Sequence, residues 1–270
     1  MIRSITTCLC LFLGLFLSLA ATADPIRLAV TTSFENSGLA DVLLPRITAD
    51  TGLEVQLLVV GTGQAIRLGA AGDVDAILVH SRAAEEAFVA QGHGTHRREI
   101  MYNDFVLVGP AADPAGIRSS IDGRAAFARI HTAKAPTVSR GDDSGTHKAE
   151  QSLWASVPLD PSVFGPWYKE VGAGMGAALN TAAGLDAYAL TDRASWLNFG
   201  NKAELALLFS GDPALFNQYA YIPVTPQKGP HIRHDAALRL ENWLTSPTAK
   251  QLINGYTIEG ETLFVFNALD

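Results

Sequence analysis

The sequence predicts an α/β fold of two lobes, each built on a largely parallel sheet with helices on both faces. Short apolar runs alternate with helical patterns three times in the first half of the chain, and the alternation recurs after a long strand-like run. The turns that follow the apolar runs are rich in glycine and hydroxyl residues. Because ligands of open parallel sheets bind beyond the carboxyl ends of the strands, we expect these turns to line a cleft.

The first half of the chain contains three predicted strand–helix units. The predicted strands are Ile26–Val30, Glu54–Val60 and Ala76–Val79. The helical pattern after the first strand is expected to be capped by Ser37 and to end at Gly52. The helix after the third strand is expected to reach Gln91, since Gly92 follows it.

A long apolar run, Met101–Pro110, is interpreted as the crossing between the lobes. The later predicted elements are the strands Thr137–Ser139, Tyr168–Val171, Tyr188–Leu190 and Tyr219–Val224, and the helices Asp235–Leu244 and Thr248–Asn254. The last two helices are expected to rejoin the first lobe. This order predicts a first lobe of residues 24–110 and 222–270 and a second lobe of residues 111–221.

Residues 1–23 have the features of a signal peptide. Arg3 supplies a positive charge, an apolar run extends from Cys8 to Leu19, and an A-x-A site predicts cleavage between Ala23 and Asp24. The apolar run is shorter than the roughly 20 residues that span a bilayer. Both cysteines lie in this segment, so the mature chain has no thiols to pair. We therefore expect a soluble periplasmic protein.

The charge of the mature chain excludes one class of partner. Removal of Arg3 lowers the number of basic residues from 20 to 19, against 27 acidic residues, which gives a net charge of −8. A nucleic-acid-binding protein needs a basic face, so we expect no nucleic-acid partner. A small anion is not excluded, because a buried site is governed by the groups that touch it and not by screened surface charge.

The most informative segment is Ser139–His147, which follows a predicted strand and opens a predicted helix. Helix N-termini present unpaired N–H groups and a partial positive charge, and both attract anions. Arg140 adds a guanidinium with five donors in a fixed fork. Further hydroxyl and main-chain donors come from Ser144, Gly145 and Thr146. The competing interpretations are a structural ion pair of Arg140 with Asp142 or Asp143, and ordinary helix capping by an Asp or Ser side chain.

Two turns of the first lobe are expected to form the opposite wall of the cleft. They are Thr31-Thr32-Ser33 and Gly61-Thr62-Gly63. His80-Ser81-Arg82 follows the third strand and is a weaker candidate, because Arg82 is equally well explained as a solvated helix residue.

Enzyme and metal motifs are weak in this sequence. Asp143–Thr146 matches the D-S-G-T string of aspartic proteases, but the second carboxylate motif that such a site needs is missing. The sequence contains no G-x-S-x-G elbow and no phosphate-binding nucleotide loop. His93 and His96 lack a set of cysteine or carboxylate partners. We expect no catalytic residue, metal or cofactor; a secreted hydrolase and a sensory receptor domain remain alternatives.

Several longer strings carry a resemblance to a known family. They are T-T-S after the first strand, G-T-G-Q-A after the second, M-Y-N-D-F-V-L-V-G-P at the crossing, and S-R-G-D-D-S-G-T-H, W-Y, G-M-G and L-T-D-R in the second lobe. From Arg27 to Ile222 the chain resembles the Tup-type tungstate-binding proteins of ABC transporters. The resemblance implies a type II periplasmic binding protein fold, in which two lobes joined by two crossover strands form a hinge and close on tungstate or molybdate. Members of the family often carry three threonines before the serine, whereas this chain has two, because Val30 occupies the first of the three positions.

The resemblance places the family's hydroxyl turn on Thr31, Thr32 and Ser33 and its binding arginine on Arg140. Tungstate near neutral pH is a fully deprotonated dianion, so a selective site presents donors alone. The predicted ligand-binding residues are Thr31, Thr32, Ser33, Thr62, Gly63, Arg140, Ser144, Gly145 and Thr146. Asp142 and Asp143 are expected to hold these donors in place without facing the anion.

The expected partners are a tungstate or molybdate oxyanion and an ABC transporter permease, with the protein acting as a monomer. A phosphate- or sulfate-binding protein is the alternative within the binding class, since phosphate binders use a similar R-x-D-x-S-G-T turn. Tungstate and molybdate have almost the same size and charge, so the sequence does not separate them.

Overall fold

The computed structural model describes residues 25–268 as alternating strands and helices. The predicted signal peptide and its cleavage site before Asp24 lie outside the described residues. In the described part of the chain, none of the helices combines the length and apolarity needed to cross a bilayer.

Three parallel strands form the core of the first lobe. They are β1 (Ile26–Thr31), β2 (Val55–Val60) and β3 (Ala76–Val79). β1 lies between the other two, and its register pairs Thr31 with Val60 and Val30 with Leu78. All three strands therefore end at the same edge of the sheet, as predicted.

Four helices follow these strands, and their starts differ in one place from the prediction. They are α1 (Thr32–Asn36), α2 (Leu39–Thr51), α3 (Thr62–Ala71) and α4 (Arg82–Ala90). Ser37 lies one residue before the N-cap position of α2, which Gly38 occupies with a φ of 75°. The Ser37 hydroxyl still accepts the Leu39 N–H at 3.2 Å, the first of α2, and it donates to the Phe34 carbonyl at 2.6 Å. Gly52 ends α2 in the left-handed conformation, as predicted.

The chain crosses to the second lobe on β4 (Arg98–Pro110), which begins three residues before the predicted start at Met101. The second lobe contains α5 (Gly123–Ala133), β5 (Thr137–Ser139), α6 (Gly145–Ser156), β6 (Tyr168–Glu170), α7 (Met175–Leu185), β7 (Tyr188–Asp192), α8 (Arg193–Asn198) and β8 (Leu205–Phe209). β5 pairs in parallel with β6 and β7, whereas β7 and β8 pair antiparallel with β4.

The chain returns on β9 (Phe216–Pro223), which runs antiparallel to both β3 and β4. The remaining elements are α9 (His234–Leu244), α10 (Pro247–Gly255), β10 (Thr257–Ile258), β11 (Glu261–Thr262) and β12 (Val265–Phe266). β4 and β9 thus lie side by side between the two sets of parallel strands. The boundaries at residues 110 and 222 stay a prediction.

Alternation along the strands builds a core on each face of each sheet. In β1, Leu28 and Val30 pack with α2 and α9, whereas Ala29 packs with residues of α3 and α4. In β4, Phe105 joins the core that contains α5 and α6, and Val106 joins the core that contains α7. A side-chain period of two places residues on opposite faces, so both sheets are covered on both sides.

Candidate functional site

The polar turns of both lobes meet because parallel strands direct them to the same sheet edges. In the first lobe these turns begin at Thr32, Gly61 and His80, directly after β1, β2 and β3. In the second lobe α6 and α8 begin just beyond the carboxyl ends of β5 and β7. This arrangement places helix N-termini, with their unpaired N–H groups, around the space between the lobes.

Main-chain atoms of the two lobes touch across this space. The Gly63 N–H donates to the carbonyl oxygen of Asp143, with 2.9 Å between N and O. A Cβ placed on Gly145 would lie 2.5 Å from Nδ1 of His80 and 3.0 Å from its carbonyl oxygen. Approaches this close leave room for a hydrogen atom and not for a methyl group, so the cleft is closed in this structure.

A third contact brings α7 to the first lobe. A Cβ on Gly174, which precedes α7, would lie 4.0 Å from Cγ2 of Thr32. Gly174 makes no side-chain cap, so the first N–H groups of α7 remain as donors near the hydroxyl turn.

Arg140 lies at the base of the cleft with only 3% of its surface exposed. Its Nη2 donates to Oδ2 of Asp142 at 2.5 Å, which is the pairing expected from the sequence. Its Nε has no hydrogen-bond partner among residues 25–268. One edge of the guanidinium is therefore oriented by a carboxylate while donors remain on another.

A buried carboxylate that the sequence reasoning missed holds the turn in front of Arg140. Glu150 accepts hydrogen bonds from Ser139 Oγ at 2.6 Å, Tyr168 OH at 2.8 Å and Trp154 Nε1 at 3.1 Å. Ser139 Oγ in turn accepts the Gly141 N–H at 3.2 Å. Burial raises the pKa of the Glu150 carboxyl, against the three hydrogen bonds, which act to lower it.

The polar residues at the start of α6 have different roles. The Ser144 hydroxyl caps the helix by accepting the His147 N–H at 3.1 Å, and its own proton remains to be donated. The Thr146 hydroxyl is buried and unpaired within the described chain. Gly145, at the first helical position, keeps a main-chain N–H at the cleft.

The side chain of Asp143 reaches outward along the rim of the cleft, and its expected role of holding the donors in place stays a prediction. Its carboxylate pairs with Arg67 of the first lobe at 3.2 Å and with Lys148 of α6. The hydrogen bond from Lys148 and then that from Arg67 hold its pKa below the usual range, although partial burial opposes them. Asp143 therefore joins the two lobes at their edge through both its main chain and its side chain.

The first-lobe wall presents hydroxyl groups, with one departure from the expected roles. The hydroxyls of Thr32, Ser33 and Thr62 are buried and have no partner in the described chain. The Thr31 hydroxyl accepts the Phe34 N–H at 3.2 Å and so caps α1, and like that of Ser144 it keeps its own proton to donate. The Gly63 N–H is engaged by Asp143 in the closed cleft, so it is not a free donor there.

The predicted ligand-binding residues carry several buried groups that can donate a hydrogen bond. Among residues 25–268, those without a partner are Thr32 Oγ1, Ser33 Oγ, Thr62 Oγ1, Arg140 Nε and Thr146 Oγ1. The four hydroxyl groups can also accept, and Oδ1 of Asp142 is a buried acceptor without a partner in the described chain. Buried polar groups are normally satisfied, so unpaired donors that arrive from both lobes indicate a missing acceptor between them.

Comparison with known proteins identifies the family. Residues 18–248 match the PBP superfamily domain. The tungstate-binding protein TupA of Peptoclostridium acidaminophilum is 45% identical over 247 residues, which cover 90% of this chain and 86% of the relative. The TupA protein of Campylobacter jejuni is 32% identical over 243 residues, with 87% and 88% covered. The chain belongs to the TupA family within the PBP superfamily.

Solved structures of the TupA family share this architecture. The tungstate-binding protein TupA from Desulfovibrio alaskensis G20 is 43% identical with a TM-score of 0.79, covering 92% of this chain and all of its own. The tungstate ABC transporter structure from Geobacter sulfurreducens is 44% identical with a TM-score of 0.80, covering 86% of this chain and 99% of its own. The resemblance drawn from the sequence is confirmed, as is the type II periplasmic binding protein fold.

A layer of polar residues lies behind the hydroxyl turn and was largely missed. His80, at the end of β3, is 6% exposed, and its ring centroid lies 4.7 Å from that of Tyr219. Burial, and then the charge of Arg140, lowers the pKa of His80 to about 4, so its ring is neutral at pH 7. Asp192 is fully buried at the end of β7. Its place at a strand end, in the string L-T-D-R, was the only sequence signal for it.

The weaker candidates from the sequence have ordinary structural roles. Arg82 is exposed and pairs with Glu86 one helical turn along α4. Nε2 of His96 lies 2.7 Å from the carboxylate of Glu241, and Nδ1 of His93 lies 2.9 Å from Nζ of Lys228. Within residues 25–268, the structure contains no group of three or more His, Cys, Asp or Glu side chains arranged to hold a metal ion.

The His147 ring is not paired with a serine hydroxyl. Its Nδ1 contacts the Asp142 carbonyl oxygen, and its Nε2 lies 2.9 Å from Nε2 of Gln151. Ser144 bonds the main chain of His147 instead of the ring. The nucleophile–base pair that a serine hydrolase requires is not formed by these residues.

Proposed function

We propose that this chain is an extracytoplasmic tungstate-binding protein that captures the oxyanion between its two lobes and delivers it to an ABC transporter permease. The observation that carries the proposal is the set of buried, unpaired donors that converge from both lobes of the closed cleft. The names of the TupA relatives support the same ligand, and a related protein of Haloferax volcanii is described as a putative ABC transporter anion-binding protein.

The chemistry of the cleft suits a fully deprotonated dianion. Hydroxyl groups, a guanidinium edge and main-chain N–H groups all donate, and every oxygen of tungstate accepts. Hydrogen bonds to charged groups contribute about 1.5–3 kcal/mol each, so five side-chain donors offset a large share of the association cost. Arg140 and Asp142 nearly cancel each other's charge, so oriented donors and helix N-termini carry most of the stabilisation.

The closed geometry supports a role in capture and release. The anion would be enclosed by groups of both lobes, whereas in an opened protein the wall of Thr32, Ser33 and Thr62 separates from that of Arg140 and Thr146. A ligand that contacts both walls favours the closed state by its differential contacts with the two states. We infer that the mature chain acts in the periplasm as a monomer and presents the closed form to a membrane permease.

One experiment tests the proposal directly. The chain without residues 1–23 is titrated by calorimetry with tungstate, molybdate, sulfate and phosphate at neutral pH. We expect tight binding of tungstate, weaker or comparable binding of molybdate, and much weaker binding of the two smaller anions. Absence of binding to all four anions would overturn the proposal, and preferential binding of phosphate or sulfate would replace the ligand.

A phosphate-binding role is the second candidate, and one observation favours it. An ionised carboxylate beside an anion site accepts a hydrogen bond from the P–O–H group of hydrogen phosphate, and the buried carboxyl group of Asp192 lies near Ser33 of the hydroxyl turn. The same titration decides between the two functions.

A further inference from the structure

Asp192 is a buried carboxyl group whose second oxygen is unexplained. It ends β7 and is 0% exposed. Its Oδ1 accepts the Ser195 N–H at 2.8 Å and so caps α8. Its Oδ2 has no hydrogen-bond partner among the described residues. Capping therefore accounts for only half of this side chain.

Two buried hydroxyl groups, those of Ser33 and Ser195, lie near Asp192 without a hydrogen bond of ordinary geometry in the described chain. Ser33 belongs to α1 and Asp192 caps α8, and these two helices pack together, with Phe34 of α1 and Ala194 of α8 in one hydrophobic core. The closure of the first lobe on the second thus places the Ser33 hydroxyl near the unpaired oxygen of Asp192.

The charged and titratable groups near Asp192 do not neutralise it. Arg193, the next residue, directs its guanidinium to Asp104 of β4 at 2.6 and 2.8 Å, and one nitrogen lies 3.5 Å from Glu261 of β11. On β9, Tyr219 is fully buried, and burial raises its pKa, so it is neutral at pH 7.

The remaining two groups lie on neighbouring elements. Arg140, after β5, is paired with Asp142, and His80, after β3, is neutral at pH 7. An ionised Asp192 would therefore lie buried without a counterion among residues 25–268. Burial accordingly raises the pKa of its carboxyl, while the neighbouring serine groups act to lower it.

The protonation state of Asp192 decides the direction of the Ser33 hydroxyl. Beside an ionised carboxylate, Ser33 donates its only proton to Asp192 and turns its lone pairs toward the cleft, where they repel an anion. Beside a protonated carboxyl, Ser33 accepts a hydrogen bond from Asp192 and keeps its own proton for the anion.

We propose that Asp192 is protonated in the anion-bound protein and orients Ser33 by donating a hydrogen bond to its oxygen, so that Ser33 donates to the oxyanion. Asp192 is thus a positioning residue, and this inference rests on the proposed function. The inference includes an ionised Asp192 in the open, hydrated cleft, so that binding takes up one proton from solvent, and no other covalent bond is made or broken.

The proton uptake has a defined sign. The bound dianion disfavours a second negative charge nearby, so the pKa of Asp192 is higher with ligand than without it. Affinity is then greatest below the pKa of the unliganded protein and falls as pH rises, by up to about tenfold per pH unit, until the pKa of the complex is passed.

Calorimetry of the mature chain with sodium tungstate tests the inference. Titrations run from about pH 7 to about pH 9.5, each in two buffers of different ionisation enthalpy, which reports protons taken up. Asp192→Asn is the test variant, and Asp122→Asn is its matched control, because Asp122 caps α5 as Asp192 caps α8. Asparagine caps helices as well as aspartate does, so both variants keep their cap.

For the wild type and Asp122→Asn we expect proton uptake and an affinity that declines as pH rises. For Asp192→Asn we expect affinity within about threefold of wild type at pH 7, no uptake, and no decline, because its amide still donates to Ser33 at every pH. Absence of uptake in the wild type over the whole range, or uptake that persists in Asp192→Asn, would overturn the inference. Failure of the wild type to bind tungstate at all would instead overturn the proposed function.

Discussion

Substitution of Gly145 by alanine tests whether the closed cleft is the binding state. The added Cβ would lie 2.5 Å from Nδ1 of His80 and 3.0 Å from the His80 carbonyl oxygen. His80 follows β3 in the first lobe, whereas Gly145 begins α6 in the second, so the clash exists only when the lobes meet. The His80 ring is packed against Tyr219 and the carbonyl belongs to the backbone, so neither moves aside freely.

The magnitude follows from the cost of overpacking. Inserting a methyl group into a well-packed contact costs typically about 1–3 kcal/mol. If that cost falls on the closed state alone, tungstate affinity drops by about 5- to 150-fold, at about 1.4 kcal/mol per tenfold change. The ligand-free protein is expected to unfold at the same temperature or slightly higher, because alanine is the better helix former.

The assay pairs this variant with a matched substitution across the same cleft. Gly61 precedes α3 with a φ of −78°, and a Cβ there would meet only the Ser144 Cα, at 4.0 Å. Calorimetry should show that Gly61→Ala binds tungstate as the wild type does, while Gly145→Ala binds more weakly. Equal affinities of the two variants, or a matching loss of stability in ligand-free Gly145→Ala, would refute the reasoning, because the contact would then persist without ligand.

Four further substitutions probe the surroundings of the cleft. Arg140→Ala should weaken tungstate binding by about tenfold or more, and Asp142→Asn by less, since the first removes donors and the second only their orientation; calorimetry giving the opposite order would contradict this. Arg67→Gln removes an exposed ion pair with Asp143 that spans the lobes, so stopped-flow dissociation should be about two- to fivefold faster at low salt and unchanged at about 1 M salt. Glu150 has a raised pKa in the folded protein, so its contribution to stability is complete below its ordinary value of 4.5 and is lost as pH rises. The free energy of unfolding in urea should therefore depend less on pH above 4.5 in Glu150→Gln than in the wild type. An unaltered pH dependence would mean that Glu150 is ionised in the folded protein.

The alternation of strands and helices could be predicted because glycine and polar residues mark the ends of the strands in the sequence. Ala76–Val79 and Thr137–Ser139 were predicted with the same bounds as in the structure, since glycine or polar turns follow both. Ser37 both ends α1 and bonds the first N–H of α2, because the left-handed Gly38 separates a one-turn helix from α2. The sequence pattern did not reveal the extra one-turn helix, since five residues are too few to show a helical period.

The residues of the candidate site could be predicted where side chains of the right chemistry lie together in one turn of the sequence. The Arg140–Asp142 pair and the hydroxyls of Thr32, Ser33 and Thr62 lie in turns of distinctive composition. Glu150 was missed because it lies mid-helix, and only the tertiary structure brings Ser139, Trp154 and Tyr168 to it. The ion pair of Asp143 with Arg67 was not predicted, because the two residues are 76 positions apart in the sequence.

The pairing of β4 with β9 constrains how the molecule moves. Both crossings between the lobes are strands of one antiparallel ladder, in which Tyr102 is opposite Gln218 and Asp104 is opposite Phe216. Hydrogen bonds oppose sliding or separation of these two strands. Asn103 and Asp104 pair with β9 alone, because Tyr102 also pairs with Val265 of β12 and Phe105 pairs with Asp192 of β7. We expect opening to bend both crossings together at these residues, so that one pair of distance labels across the rim would follow the whole movement.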